Sequence, residues 1–228
     1  VYTFEVAGGT CTSSGQSVAV TVYPTPEMNI TNAASEICSG EAADITLITP
    51  TENGLIRVTA VDYASVTPDG PGVSVGQTFT NGGQIQETLT NATNTIQTVS
   101  YTFEVEGNGC GPIGGFTTTV DVKPIPTMNI TDANDSFCEG GSTDITLNTP
   151  TQGAIIRVTG VDYSGGDVTG GSISVGQTFS DGQKIIETLF TNSNNLETVT
   201  YTFEVDAGGC GPVGGFSESV TVYPTPEM

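Results

Sequence analysis

An internal repeat of 100 residues most constrains what this 228-residue chain can fold into. The string YTFEV occurs three times, and residues 24–123 align on residues 124–223 without a gap, with 52 of 100 positions identical. A unit of this length is too long for a solenoid repeat and has the size of a domain that folds by itself. The sequence therefore predicts tandem domains. Their expected bounds are 1–23 for the C-terminal part of a preceding repeat, 24–123 and 124–223 for two full repeats, and 224–228 for the start of a following repeat.

The alternation of apolar and polar residues predicts strands in each repeat. The clearest run places four apolar side chains on one face: Val99, Tyr101, Phe103 and Val105. A Gly-rich turn follows, and a second alternating run at 116–122 is the expected hairpin partner. Further short runs lie at 28–31, 44–47, 55–61, 73–79 and 85–89. Seven short strands separated by turn residues favour an all-β fold of tandem immunoglobulin-like antiparallel β-sandwich domains of about 100 residues.

A Pro-x-Pro step separates the last strand of one repeat from the first strand of the next. Proline fixes its own φ and drives the preceding residue toward extended conformations. We therefore expect a short, stiff inter-domain linker instead of a flexible tether. The linker residues are Pro24 and Pro26 before the first repeat and Pro124 and Pro126 before the second.

The cysteines also follow the repeat. Cys38 and Cys110 lie in the first full copy and Cys138 and Cys210 in the second, while Cys11 is the counterpart of Cys110 in the partial copy. These spacings are far longer than the short C-x-x-C steps of zinc sites, so we expect disulfides. Disulfides imply an oxidising location outside the cytoplasm.

Three pairings satisfy this arrangement. Pairing within each repeat, Cys38 with Cys110 and Cys138 with Cys210, is expected first because each unit is then self-contained. Cys38 with Cys210 would instead clamp one domain to the next, which follows if the two cysteines of a repeat lie at opposite ends of the sandwich. The third pattern joins Cys11 to Cys38 and Cys110 to Cys138.

Charge excludes several classes of partner. The chain has 25 acidic residues against 4 Lys plus Arg, a formal charge of −21, and no His. Nucleic-acid binding requires a cationic surface, and an anionic membrane would repel the chain, so neither nucleic acid nor membrane insertion is expected. Without His, mechanisms that use imidazole as a base or a zinc ligand are absent. The expectation is that the chain is not an enzyme.

The recurring acids are the remaining candidates for chemistry. Asp44, Asp62, Glu87 and Glu104 each recur 100 residues later. A catalytic pair in every unit of an array would be unusual, so these acids are interpreted as solvated groups that keep the strands soluble and blunt edge pairing. The segment DANDS at 132–136 lacks the spacing of an EF-hand loop, so no cofactor is expected, although calcium stays open.

Two further recurring residues receive structural roles. Arg57 and Arg157 stand within apolar runs and are expected to form ion pairs with nearby acids. Tyr63 and Tyr163 follow Val-Asp and are expected in the core at the end of a strand, in preference to stacking on a sugar.

The order of these motifs resembles a known class of repeat. ICSG at 37–40 or FCEG at 137–140 is followed by IxETL, TVxYTFEV, GCGP and a closing VxVxPxP. This order resembles the PKD-like, immunoglobulin-like tandem repeats of giant cell-surface adhesins in Bacteroidota, of the gliding-motility type. The resemblance implies a secreted, extracellular array displayed at the cell surface.

The sequence thus predicts a non-catalytic structural repeat that forms the stalk or fibre of a secreted bacterial surface adhesin. Its expected partners are neighbouring repeats of the same chain, and surface glycans or other fibre subunits. The alternative is a glycan- or calcium-binding module of a surface protein, in which loops at the domain ends hold the ligand.

Overall fold

The computed structural model describes residues 1–8 and 11–226, with side chains described at all of these except 5–8, 11–14 and 16. Strands dominate this part of the chain, and its one helical segment is a 3-10 turn at Ser164–Gly166. No described helix is long and apolar enough to cross a membrane. The hairpin of β1 (Tyr2–Gly8) and β2 (Cys11–Val18) precedes the first repeat. Tyr2 and Phe4 are exposed there, because no second sheet faces the hairpin among the described residues.

The first repeat contains eleven described strands. They are β3 (Asn29–Asn32), β4 (Glu36–Cys38), β5 (Glu41–Ala42), β6 (Ile45–Ile48), β7 (Leu55–Asp62), β8 (Val66–Pro68), β9 (Thr78–Phe79), β10 (Gly83–Ile85), β11 (Thr88–Asn91), β12 (Gln97–Gly107) and β13 (Cys110–Lys123). One sheet has the order β4-β13-β12-β7-β9, and the facing strands form β10-β6-β3 and β5-β11-β8.

The second repeat follows the same plan. Its strands are β14 (Asn129–Asp132), β15 (Ser136–Cys138), β16 (Ile145–Asn148), β17 (Ile155–Tyr163), β18 (Val168–Thr169), β19 (Thr178–Phe179), β20 (Gln183–Ile185), β21 (Phe190–Thr191), β22 (Glu197–Asp206) and β23 (Val213–Tyr223). The large sheet is β15-β23-β22-β17-β19, and the facing strands form β14-β16-β20 and β18-β21. The expected all-β, immunoglobulin-like fold is confirmed.

Each repeat has its own hydrophobic core. In β12 the apolar residues of the alternating run are fully buried, while Thr102 and Glu104 on the opposite face are only partly covered. Leu47 and Ile85 close the first core from the facing strands, and Leu147 and Ile185 do the same in the second. The period-two pattern therefore specifies which face of the hairpin is interior.

The strand predictions were wrong at two places. The run at 73–79 forms a strand only at Thr78–Phe79. The run at 85–89 splits, because β10 pairs with β6 whereas β11 pairs with β8 and β5. The chain thus changes sheets at Gln86 and Glu87, and this crossing turns one acidic side chain inward. The short strands β4, β5 and β8 have no periodic signal and were missed.

Candidate functional site: the junction and the buried acid

The candidate site is the junction between the repeats, which comprises the linker at 123–126 and the segments that touch it. Cys38 ends β4, which pairs in parallel with the end of β13 so that Cys38 lies opposite Lys123. The following turn contains Gly40 at φ 91°, a left-handed conformation that side-chain-bearing residues rarely adopt. Ser39 donates its backbone N–H to the carbonyl of Lys123 at 2.8 Å. These contacts fix Cys38 at the end of the first repeat from which the linker leaves.

Cys210 lies in the turn between β22 and β23, at the end of the second repeat that faces the linker. Gly208 and Gly209, at φ 61° and 85°, allow this turn to form. The Cys210 sulfur is bonded to that of Cys38 at 2.00 Å; the two Cα atoms are 5.5 Å apart, and the two residues are 172 positions apart in sequence. The disulfide therefore joins one repeat to the next.

The expected pairing within each repeat was wrong, and strand length gives the reason. Strand β13 runs from Cys110 to Lys123, and Cys38 is the partner of Lys123. Thirteen residue steps of about 3.3 Å place Cys110 about 40 Å from Cys38. A disulfide allows no more than about 7 Å between Cα atoms. The two cysteines of one repeat are therefore at opposite ends of the sandwich.

The remaining cysteine predictions have mixed outcomes. Cys110 is half-buried and Cys138 exposed, and neither is bonded within the part of the chain that the structure describes, so their expected disulfides and the third pairing pattern are not formed there. The side chain of Cys11 lies outside the described residues. The alternative pairing of Cys38 with Cys210, which clamps one domain to the next, is the one that the structure contains.

Polar contacts flank the disulfide. The Lys123 ammonium forms an ion pair with Glu36 Oε2 at 2.7 Å and donates to the Gly208 carbonyl at 3.2 Å. On the other side of the linker, the Gln152 N–H donates to the Asn94 carbonyl at 3.1 Å. A cavity of about 230 Å³ between the repeats is lined by Asn94, Ile96, Lys123, Pro124, Gln152, Ala207 and Gly208. Contacts on several sides of the linker thus supplement the covalent bond.

The linker prolines are packed unequally. Pro124 and Pro126 are buried, as is Pro26, whereas Pro24 is exposed. Beyond Pro126, the Thr127 N–H donates to Thr151 Oγ1 at 3.1 Å. The stiffness of the linker stays a prediction, and its second half is held against the repeat that follows.

A second polar cluster lies inside each sandwich, and the sequence interpretation of its acid was wrong. Glu87 was expected in solvent but is only 8% exposed. It accepts hydrogen bonds from the hydroxyls of Tyr101 and Tyr63, the latter at 2.9 Å, and from the Val73 N–H at 2.9 Å. The change of sheets at this residue carries the carboxylate into the core, which alternation alone does not signal.

The second repeat reproduces this cluster. Glu187, 3% exposed, accepts from Tyr201 at 2.6 Å, from Tyr163 at 2.9 Å and from the Ile173 N–H at 2.7 Å. The two tyrosine rings meet edge to face with centroids 6.4 Å apart in both repeats. Burial, with the hydrogen bonds to the carboxylates, raises the pKa of all four tyrosines well above the usual value. Each buried carboxylate thus holds two tyrosine side chains in place by hydrogen bonds. The expected core role of Tyr63 and Tyr163 is confirmed.

The described acids outside the two buried clusters are exposed or half-buried, and several of them form ion pairs. Arg57 lies 3.4 Å from Glu104 and 3.5 Å from Glu106, and Arg157 lies 3.7 Å from Glu204, so the predicted ion pairs of both arginines are confirmed. Lys184 also pairs with Asp144 at 2.6 Å. Among the described residues, no group of three or more acids and cysteines is arranged to hold a metal ion.

The chain is similar in structure to several immunoglobulin-like proteins. The D00-D0 domain of intimin matches with a TM-score of 0.43 and 10% identity over 86% of this chain and 98% of that one. The Escherichia coli adhesin FdeC matches with a TM-score of 0.44 and 12% identity over 94% and 68%. The first eight domains of Down syndrome cell adhesion molecule match with a TM-score of 0.45 and 13% identity over 89% and 25%.

No protein-family model matches this sequence, and no curated protein matches it. The fold assignment therefore depends on the strand order and the two cores described above.

Proposed function

We propose that this chain is a non-catalytic spacer: a segment of the stalk or fibre of a secreted bacterial surface adhesin. The observation that carries the proposal is the Cys38–Cys210 disulfide, which joins adjacent repeats across a linker of four residues. A binding domain that functions alone does not require a disulfide to the neighbouring repeat. It does restrict how one repeat swings relative to the next, which is what a spacer of fixed length requires.

The charge of the chain supports the same function. Its −21 formal charge is distributed over both repeats, so neighbouring repeats and neighbouring chains repel one another. Repulsion favours an extended and soluble array. The disulfide also supports an extracellular location, since cytosolic thiols are kept reduced. The proposed partners are therefore other repeats of the same kind, in agreement with the motif order that resembles gliding-type adhesins.

The spacer function is tested by small-angle X-ray scattering on the oxidised chain and on Cys38→Ser. We expect the oxidised chain to fit one fixed arrangement of two repeats, and the variant to give a broader distance distribution. Cys138→Ser is the matched control, because it removes an exposed, unbonded thiol, and it should scatter like the parent. Equal distributions for parent and Cys38→Ser would contradict the proposal.

A second arm separates the spacer from a calcium-binding module. The melting temperature of the oxidised chain is measured with excess EDTA and with millimolar calcium. A spacer without a metal site predicts the same temperature in both, whereas a rise of several degrees with calcium would contradict the metal-free function.

A further inference from the structure

The two unbonded cysteines occupy the positions of the bonded pair. Cys138 ends β15, which pairs in parallel with β23 and places Cys138 opposite Tyr223, as Cys38 lies opposite Lys123. Cys110 stands in the GCGP turn of the first repeat, as Cys210 does in the second. Cys138 is thus the counterpart of Cys38 at the existing junction, and Cys110 is the counterpart of Cys210.

These two cysteines cannot meet within one chain. The junction holds the Cys38 end of the first repeat and the Cys210 end of the second. Cys110 and Cys138 lie at the opposite ends: Cys110 is about 40 Å from the junction along the thirteen steps of β13, and Cys138 lies beside Tyr223, ten steps or about 33 Å from the start of β23. Each is therefore placed to bond to something beyond the two repeats.

The surroundings of Cys138 also match those of Cys38. At the junction, Asn94 and Ile96 line the cavity between the repeats together with Lys123, the sheet partner of Cys38. Their counterparts, Asn194 and Leu196, stand at the Cys138 end, and Leu196 is as exposed there (53%) as Ile96 is at the existing junction (52%). Tyr223, 44% exposed, takes the place of Lys123. This end presents the elements of a junction without a repeat against it.

We propose that the Cys138 end is a docking face for a further repeat of this same kind, and that Cys138 bonds to the GCGP cysteine of that repeat. Cys110 correspondingly receives the cysteine of a repeat placed before it. The partner is identified by continuity with the existing junction: it must offer a GCGP turn like the one that contains Cys210. The identity of the partner as a repeat rests on the proposed spacer function.

The docking face differs from the existing junction in one respect. Ser136 replaces Glu36 and Tyr223 replaces Lys123, so the 2.7 Å ion pair beside the disulfide has no counterpart. The new junction would consist of the disulfide and apolar contact of Tyr223. Raised salt should therefore affect it less than the existing junction.

The bond requires an oxidant, which we take to be a disulfide of the glutathione or thiol oxidoreductase class. The Cys138 thiolate first attacks the oxidant disulfide, forming a mixed disulfide and releasing one thiolate. The thiolate of the incoming GCGP cysteine then displaces the second. Two protein thiols lose two electrons and two protons, and the oxidant leaves as two thiols.

Repetition of this bond would give overlapping loops. The existing disulfide closes the chain from position 38 to 210, and a bond at Cys138 would close a loop that begins before the first one ends. Every peptide bond of an extended array would then lie within at least one loop. A single backbone cut would leave such a fibre joined.

The test extends the full chain after Met228 with a second copy of residues 129–223, which continues the repeat in register. The protein is oxidised in a glutathione redox buffer, alkylated and mapped by mass spectrometry under non-reducing conditions. We expect Cys138 in a disulfide with the GCGP cysteine of the added repeat, and retention of Cys38–Cys210. The variant Cys138→Ser should leave the added GCGP cysteine alkylated.

A second extension uses residues 29–123 as the added repeat, so that a folding defect of one sequence does not decide the outcome. Alkylated Cys138 in both extended chains, or Cys138 bonded to Cys110 of the same chain, would overturn the proposal. That result is distinct from failure of the spacer function, which is measured by scattering on the 228-residue chain itself.

Discussion

The interiors of the two repeats are nearly interchangeable, whereas their C-terminal ends are not. Glu87 and Glu187 each accept hydrogen bonds from an equivalent pair of tyrosines, and the two pairs have the same edge-to-face ring geometry. At the ends, Cys38 is bonded to the next repeat while Cys138 is exposed. A core is determined by the sequence of its own repeat, but the state of an end cysteine depends on which repeat stands beside it.

The largest expected effect tests the likeness of the interiors. Glu187→Ala removes the acceptor of two tyrosine hydroxyls and the Ile173 N–H, and each buried donor left unsatisfied costs about 1–3 kcal/mol. We expect the free energy of unfolding of the second repeat to fall by about 3–6 kcal/mol. Urea unfolding followed by tyrosine fluorescence measures it.

Glu87→Ala should produce an equal loss in the first repeat, since its acid has the same partners. Glu204→Ala is the control, because this acid lies on the outer face beside an exposed arginine. Losses that differ by more than about 2 kcal/mol between the two repeats would break the comparison of the interiors.

The next effect tests the difference between the ends. Cys38→Ser opens the loop of 172 residues, and disulfides typically contribute about 2–4 kcal/mol by restricting the unfolded chain. We expect a lower melting temperature in calorimetry for this variant. Cys138→Ser should leave the melting temperature unchanged, and a comparable decrease there would mean that the two ends are equivalent after all.

Alkaline pH tests the tyrosine clusters in both interiors. Because burial and the bond to Glu87 raise the pKa of Tyr101, the folded state keeps this proton at pH values where the unfolded chain has lost it. Stability is therefore full below about pH 10 and falls as pH rises beyond it, by at most about 1.4 kcal/mol per pH unit for each tyrosine.

Urea unfolding at several pH values between 9 and 12 measures this slope. Tyr101→Phe should flatten it in the first repeat only, and Tyr201→Phe in the second only, since each removes one titrating hydroxyl. A slope that neither substitution changes would place the alkaline sensitivity elsewhere in the molecule.

The smallest expected effect compares the surface ion pairs of the two repeats. Arg57 has two acidic neighbours and Arg157 one, but all of these groups are partly exposed. Exposed ion pairs contribute about 0–1 kcal/mol, so Arg57→Ala and Arg157→Ala should each change stability by less than about 1 kcal/mol. The Arg57 effect should be the larger in low salt and should disappear at 1 M salt; a loss above 2 kcal/mol would contradict the surface assignment.

Those parts of the fold that depend on a single local rule could be predicted from the sequence. Alternation identified the hairpin strands, because burial on one face requires period two, and the repeat supplied the same answer twice. Glu87 was misplaced because its inward turn depends on a change of sheets between β10 and β11, a long-range pairing that local pattern does not encode. The two arginines were placed correctly because four cations among many acids have few alternatives.

The cysteine pairing was not predictable from the sequence for a similar reason. Parity and repeat spacing allowed three patterns, and only the parallel pairing of β4 with the end of β13 separates Cys38 from Cys110. That pairing involves a strand of three residues without a periodic signal. The sequence allowed the two cysteines of one repeat to lie at opposite ends of the sandwich. Only the register of β4 against β13 shows that they do.

The most direct measurement is a non-reducing peptide map of the oxidised 228-residue chain. The junction described here predicts one peptide pair that joins Cys38 to Cys210, with Cys110 and Cys138 of the same chain not bonded to each other or within their own repeats. Peptide pairs that join Cys38 to Cys110 and Cys138 to Cys210 would contradict the covalent junction between the repeats.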